Sequence, residues 1–281
     1  MKLSIITINF NNVSGLKRTA ASVMEQTWQE FEWIIIDGGS DDGSTEYIIS
    51  LNEDLTRNGW NPITYWCSEP DNGIYNAMNK GVLHAGGQYV CCMNSGDEFY
   101  NENTLRDVFL NKEHTEDILY GNSMKVYTDG HTQTDYAPEQ VNLLNLYFRT
   151  ICQQGMYVRL EMLKEKPFDE RFKVRGDSHR WLQALLDGNS FKYLYMTTCR
   201  FHMDGISASS RKHEKEDAMI SELINPAILP YVVKVYRYEC YHPYTRLTAL
   251  LERGGLVEKV TKAFLKIMTM IWGAKSDEKR I

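Results

Sequence analysis

The stretch "FEWIIIDGGSDDGS", Phe31 to Ser44, decides the fold. An apolar run from Phe31 ends on a single acid, Asp37, passes through glycines, serines and aspartates, and enters helical spacing at Tyr47, Ile48 and Leu51. A run this short, bounded by turn residues, is read as a strand buried on both faces. Ser44 is read as the N-cap of the helix that follows. The unit is therefore strand, turn, helix, and it recurs on either side. Leu3 to Phe10, Ile63 to Cys67 and Gln88 to Met93 are further strands. Between them Leu16, Ala20, Val23, Met24 and Thr27, and then Ile74, Ala77, Met78, Gly81 and Val82, recur at helical spacing. The expected class is α/β, a Rossmann-like, mostly parallel central sheet flanked by helices.

In such sheets ligands bind outside the carboxyl ends of the strands. Polar clusters fall at those ends: Asn9 to Asn12, Asp37 to Gly43, Glu69 to Gly73 and Asn94 to Asp97. Turns favour Asn, Asp and Gly in any protein, but four such turns in succession exceed what turn chemistry requires. The first segment, residues 1–100, thus reads as a ligand-binding half. Residues 101–225 mix elements: helices near Thr104 to Leu110, Gln140 to Tyr147 and Gly176 to Leu186, a hairpin at Tyr127 to His131, and a strand from Phe191 to Met196. Residues 226–281 read as a helical C-terminal extension. Val260, Ala263, Phe264, Ile267, Met268 and Ile271 there oppose Lys259, Lys262 and Lys266. Two readings of that helix stay open: peripheral contact with an anionic membrane surface, or docking on the protein itself or on a second copy as a homo-oligomer.

With 281 residues, 43% of them hydrophobic, the chain can bury a large core without staples. A net charge of -6 excludes the basic balance expected of a nucleic-acid binder. Six scattered cysteines with no Cys-x-x-Cys, and no signal peptide at the start, point to buried thiols and a cytoplasmic setting.

Carboxylates gathered at strand ends suit a divalent cation or the N–H and hydroxyl groups of a ligand. The glycine-rich phosphate signatures are missing, so a bound nucleotide would rely on a metal for its phosphates. The segments "LSIITINFNN", "WIIIDGGSDDGS", "EPDNGIYNAMNKG", "GGQYVCCMNSGDEF" and "FKVRGDSHRW" together resemble, over roughly residues 2 to 210, the family-2 glycosyltransferases. These are inverting enzymes of the GT-A fold, and the likeness is strongest to those that build bacterial surface polysaccharide or lipopolysaccharide.

The resemblance implies a nucleotide-sugar donor: a UDP-linked sugar is expected, with a saccharide or lipid-linked saccharide as acceptor. Thr7 and Asn9 match the segment lining the base, and Asp37 matches the acid that accepts a hydrogen bond from it. Asp71 matches an acidic position near the ribose. Lys80 stands where a positive charge would meet the diphosphate, in place of the Arg that many relatives have directly before the Asn of this motif, where this chain has Met78-Asn79. Where the family writes Asp-x-Asp-Asp, this chain has Asn94-Ser95-Gly96-Asp97. Asp97 is then the metal contact for Mn²⁺ or Mg²⁺, with Asn94 and Ser95 left to bond a ribose hydroxyl. Asp177 matches the general base, with His179 where relatives have a second acid, and Gln153 where they have a His. His202, in "CRFHMDGISAS", is read either as structural or as reaching the metal or the diphosphate. Two rivals remain at this point: a non-catalytic nucleotide- or glycan-binding relative, suggested by the neutral Asn94-Ser95-Gly96, and a sugar-phosphate nucleotidyltransferase, disfavoured by the uncharged loop after the first strand.

Overall fold

A computed structural model describes residues 2–148, 150–203 and 215–227. The chain divides into two compact units, Met1–Leu223 and Ile224–Ile281, and of the second only residues 224–227 are described. The amphipathic segment around residues 260–271 lies outside the described residues, as does the extension to which it was assigned.

The first half is the repeated unit read from the sequence: β1 (Leu3–Asn9), α1 (Val13–Met24), β2 (Phe31–Asp37), α2 (Ser44–Arg57), β3 (Ile63–Ser68), α3 (Ile74–His84) and β4 (Tyr89–Cys92). β1 pairs in parallel with β2 on one side and β4 on the other, and β2 pairs in parallel with β3. Strand order therefore reverses at β1, which opens a crevice at its carboxyl end. Every residue of β1 and β2 is buried, the reason their sequences run apolar without alternation. One core cluster joins Leu3, Ile5, Leu16, Val23, Trp33 and Ile35 to Phe109 and Tyr157 of the second half.

The second half comprises β5 (Glu98–Phe99), α4 (Thr104–Phe109), β6 (Ile118–Val126), β7 (Thr132–Asp135), α5 (Leu143–Phe148), β8 (Met156–Arg159), α6 (Leu160–Glu165), α7 (Gly176–Leu186) and β9 (Phe191–His202). It continues the same sheet in the order β3-β2-β1-β4-β8-β6-β9-β5, with β7 beside β6. β8 is antiparallel to β4, and this pairing ends the parallel region. The Tyr127–His131 turn closes the β6/β7 hairpin as expected. Two local readings are corrected. The N-cap of α2 is Gly43, at φ 92°, and Ser44 is the first helical residue, its hydroxyl donating to Asp42. The last strand continues past Met196 to His202, because pairing with β6 resumes beyond a register shift. Among the described residues no helix is long and apolar enough to cross a membrane.

One acid inside β2 ties the sheet together. Glu32 is 6% exposed. Its Oε1 accepts from Ser4 Oγ at 2.6 Å, Gly86 N at 2.6 Å and Gly87 N at 3.1 Å, and its Oε2 from Thr64 Oγ1 at 3.0 Å. β1, β2, β3 and the turn into β4 thus share one carboxylate. Glu32→Ala would strand buried donors that each cost about 1–3 kcal/mol when unpaired. The expected outcome is a lower urea midpoint with an unchanged denaturant slope; an unaltered midpoint would show that the four contacts carry no net stability.

Candidate active site

Asp37 closes β2 and has no exposed surface. Its Oδ1 accepts from Asn9 Nδ2 at 2.7 Å and Ser40 Oγ at 2.6 Å, and its Oδ2 from Ser40 N at 2.9 Å and Ser68 Oγ at 2.6 Å. Burial alone would push the carboxyl up. The hydrogen bonds from Ser40, Ser68 and Asn9 outweigh burial and hold it below its ordinary value. The expected direct acceptor for a ligand is therefore saturated from within, and a ligand donor reaches it only by displacing a serine. Asn9, with its amide nitrogen turned to Asp37, leaves Oδ1 buried with no partner. Thr7 departs from its expected role. Its hydroxyl accepts from Trp33 Nε1 at 2.9 Å and has no exposed surface, so it lies in the core and not along the crevice.

The next turn packs against this one. A Cβ added to Gly38 would fall 2.8 Å from Asp71 Oδ2 and 3.1 Å from Phe10, so only glycine allows these groups to meet. Phe10 is 64% exposed, an aromatic ring left in water at the end of β1. Asp71 Oδ1 accepts from Gly73 N at 2.7 Å, ordering the entry to α3. Lys80 is engaged elsewhere than expected: its ammonium bonds Glu69 at 2.7 Å and the Pro70 carbonyl at 3.3 Å, bracing the turn.

The loop after β4 is built around Asp97, 6% exposed. Asp97 Oδ2 accepts from Gln154 Nε2 at 2.8 Å and Oδ1 from His202 N at 3.0 Å. Asn12 Nδ2 donates to the Ser95 carbonyl at 3.2 Å, and Asn94 Oδ1 is buried without a partner. His202 lies between Arg18, 2.7 Å from Nδ1, and Glu98, 2.6 Å from Nε2. Since a guanidinium can only donate, Nδ1 accepts and Nε2 carries the proton toward Glu98. That arrangement gives His202 and Glu98 to each other. Among the described residues no group of three or more His, Cys, Asp and Glu side chains is placed to hold a metal.

Asp177 stands in the first turn of α7. Its Oδ1 accepts from Ser178 N at 2.7 Å and from Tyr75 at 3.3 Å, while Oδ2 accepts nothing among the described residues. Burial pushes its carboxyl up, against the pull of those hydrogen bonds and of the Arg175 charge. The preceding loop is pinned at both ends. Glu216 accepts from the backbone N–H groups of Lys173 at 2.8 Å, Val174 at 3.3 Å and Arg175 at 2.8 Å, and Asp217 pairs with Arg175. Lys173 Nζ reaches back to the Asn72 carbonyl at 2.8 Å. A Cβ on Gly176 would meet the Tyr75 ring at 2.7 Å, so that glycine lets α3 and α7 close on the acid.

The structure thus brings Asn9, Asp37 and Asp71 to neighbouring turns, and Asn94, Ser95 and Asp97 to the loop beside them through Asn12. It joins Asp177 to the Asp71 turn through Tyr75 and Lys173. Phe10, Gln154, Tyr75 and Glu216 were missed. Gln154 had a signal, since it survives in the Cys152-Gln153-Gln154 run; Glu216 had none, lying about forty residues from the loop it holds.

A parallel half-sheet with its polar turns at a point of reversal, extended by a mixed half, is the GT-A arrangement. Solved structures share it. S. aureus TarS 1-349 in complex with UDP-GlcNAc covers 82% of this chain and 67% of its own, with a TM-score of 0.64 and 22% identity. Mannosyltransferase PcManGT from Pyrobaculum calidifontis in complex with GDP-Man and Mn²⁺ covers 94% and 84%, with a TM-score of 0.55 and 14% identity. At these identities the likeness establishes the fold. The glycosyl transferase family 2 model matches residues 4–164, and the chain belongs to that family. An uncharacterized glycosyltransferase of Mycobacterium tuberculosis is 42% identical over 99 residues, a match spanning only 34% of either protein. A PGL/p-HBAD biosynthesis glycosyltransferase of Mycobacterium bovis is 27% identical over 181 residues, covering 62% of this chain and 66% of the relative.

The Asp37 network has a pH signature. Its folded-state carboxyl lies below the ordinary 3.8, so its contribution to stability is complete above that value and is lost as pH falls through the folded value. Asp37→Asn is expected to lower stability at neutral pH and to flatten the acid limb of a stability–pH curve. An unchanged acid limb would remove Asp37 from the groups whose protonation unfolds the protein.

Proposed function

We propose that the chain is an inverting glycosyltransferase that moves a sugar from a nucleoside-diphosphate donor, UDP-linked, to a hydroxyl of a saccharide or lipid-linked saccharide acceptor in polysaccharide or glycolipid biosynthesis. The observation that carries this reading is Asp177: a carboxyl pushed up by burial, with one oxygen uncommitted, held by a pinned loop beside the strand-end turns. Support comes from the family, from the mycobacterial glycosyltransferases it resembles, and from neighbours of the same fold bound to UDP-GlcNAc and GDP-Man.

In this reading the base lies against Phe10 over the bare backbone of Gly38. Asp37 accepts the single N–H of a uracil, N3–H, in exchange for a serine hydroxyl, a swap that conserves the number of hydrogen bonds Asp37 accepts. Asp71, Ser95 and the side-chain amide nitrogen of Asn94 meet the ribose, which leaves Asn94 Oδ1 free of it. Lys80 would have to leave Glu69 to approach the diphosphate, so its part is to brace the turn. Asp177 takes the proton from the acceptor hydroxyl as that oxygen attacks the anomeric carbon, and the raised pKa makes it a stronger base than an ordinary Asp. A single displacement inverts the anomeric centre, and a diphosphate leaving group needs no general acid.

The family also implies a divalent cation, and one neighbour of the fold is bound to Mn²⁺. The residues fit: Asp97 and the partnerless Asn94 Oδ1 are hard oxygen donors, the kind that Mg²⁺ or Mn²⁺ takes alongside phosphate oxygens and water. Bound there, such an ion would neutralise charge on the departing diphosphate. A binding-only relative is the second reading, favoured by the neutral Asn94-Ser95-Gly96 in this loop.

Calorimetry with UDP and Mn²⁺ tests the donor site. Wild type is expected to bind, and Asp97→Asn to lose at least about tenfold in metal-dependent affinity, the cost of about 1.4 kcal/mol; no binding of UDP or GDP with either metal would overturn the donor reading. Asp177→Asn is expected to bind donor normally and to lose about 10²–10⁴-fold in transfer. Because the folded state holds the Asp177 proton more tightly than the unfolded chain, stability falls as pH rises above 3.8 toward the raised value. The same variant should therefore be more stable than wild type at neutral pH. Donor binding without turnover in wild type, across a panel of sugars and acceptors, would establish the binding-only relative instead.

A further inference from the structure

The β6/β9 side of the sheet carries exposed aromatic rings and, beside them, two small cavities that the donor chemistry does not use. Tyr136 is 66% exposed there and Tyr195 68% exposed. Tyr195 also holds a backbone φ of 55°, in the left-handed region, which is costly for a bulky side chain and calls for a reason. It lies where the β6/β9 register shifts, between the Tyr120–Tyr193 and Asn122–Thr197 pairs. Irregularities of this kind re-aim side chains next to active sites.

The aromatic rings form a row. Tyr195 is 4.6 Å from Tyr193 between centroids, and Tyr193 is 5.6 Å from Tyr120. The row is fastened to the segment that carries Tyr136. Tyr193 donates to Asn122 Oδ1 at 2.8 Å, and the same oxygen accepts from Ala137 N at 2.9 Å. Tyr120 donates to the Pro138 carbonyl at 2.7 Å. A cavity of about 240 Å³ opens among Tyr136, Ala137, Pro138 and Asn145. An adjoining one shares the Tyr136–Pro138 segment and adds Ser123, Asp135, Thr150 and Cys152. Asp135 is paired with Lys125 at 2.8 Å, so this carboxylate brings no uncompensated charge to the cavity.

The place of this surface matters as much as its chemistry. Cys152 lines it, and two residues on, Gln154 holds Asp97. α5, which supplies Asn145, packs against α7, whose first turn bears Asp177. The cavities therefore border elements that carry both the metal loop and the base.

We propose that this surface is the acceptor subsite and that it takes a neutral saccharide. The inference rests on the transferase reading and deepens it. A pyranose presents a C–H face that lies against the negative face of an aromatic ring, here Tyr195 and Tyr136. Its hydroxyls meet hydroxyl and carbonyl groups, here Ser123, Thr150 and the backbone of the pinned segment. An alkyl chain would offer the Ser123 and Thr150 hydroxyls no partner, and a phosphate would find no uncompensated cation among the lining residues named.

Saturation-transfer NMR with methyl glycosides of glucose, galactose, mannose and N-acetylglucosamine, in the presence of UDP and Mn²⁺, tests this. Wild type is expected to bind at least one glycoside. Tyr136→Ala and Tyr195→Gly are expected to weaken that binding at least about tenfold while leaving UDP affinity unchanged. Glycine suits the left-handed backbone at 195, so this variant removes the ring and keeps the fold. No glycoside bound to UDP-loaded wild type, or equal binding by both variants, would overturn the acceptor subsite alone. Failure of wild type to bind UDP would instead overturn the donor reading beneath it.

Discussion

Asp37 carries a charge at the end of a buried strand, where water cannot solvate it, and donors from two other strand ends and one turn answer that charge. Asn9 ends β1, Ser68 ends β3, and Ser40 lies in the turn that leaves β2. A buried carboxylate demands such partners. By satisfying it, the three parallel strands are made to end at a common level, and the turns that follow them are brought side by side. The crevice is a consequence of that level ending: Gly38 can then admit Asp71 and Phe10, and Asn12 can reach Ser95.

The two central aspartates show how environment assigns different work to the same side chain. Asp37 is held below its ordinary value because several donors overcome its burial. Asp177 is held above because two donors to one oxygen do not. The first is thereby a permanent acceptor that organises the turns, and the second holds its proton more tightly than an ordinary Asp, as the proposed base would. Its loop takes its shape from Glu216, a carboxylate that spends its acceptor capacity on backbone N–H groups instead of on a ligand. Rigidity before Asp177 and an Oδ2 that accepts nothing among the described residues suit the role proposed for it, meeting an incoming hydroxyl in one geometry.

Much of the parallel half was legible because burial on both faces leaves a direct mark in composition. "WIIID" could be nothing but a central strand once Gly and Asp bounded it. Helix spacing and the hairpin at Tyr127–His131 followed from equally local rules. The errors were also local in origin. Thr7 shares a face of β1 with Asn9 but lies two residues deeper in the strand, where Trp33 takes its hydroxyl into the core. Lys80 was placed by the charge a diphosphate would need, whereas Glu69, nearer and already charged, claims it.

What the sequence determined by itself was the succession of strand, polar turn and helix, the placing of acids at strand ends, and the family to which their order points. Those features are set within short windows, by periodicity and by the backbone preferences of Gly, Asn and Asp. Tertiary structure alone decided which acids are spent internally and which keep an oxygen open. It gave His202 to Arg18 and Glu98, Gln154 to Asp97, and Glu216 to the loop of the base. Hydrogen-bond partners far apart in the chain leave no periodic trace, because a donor and acceptor need only meet in space.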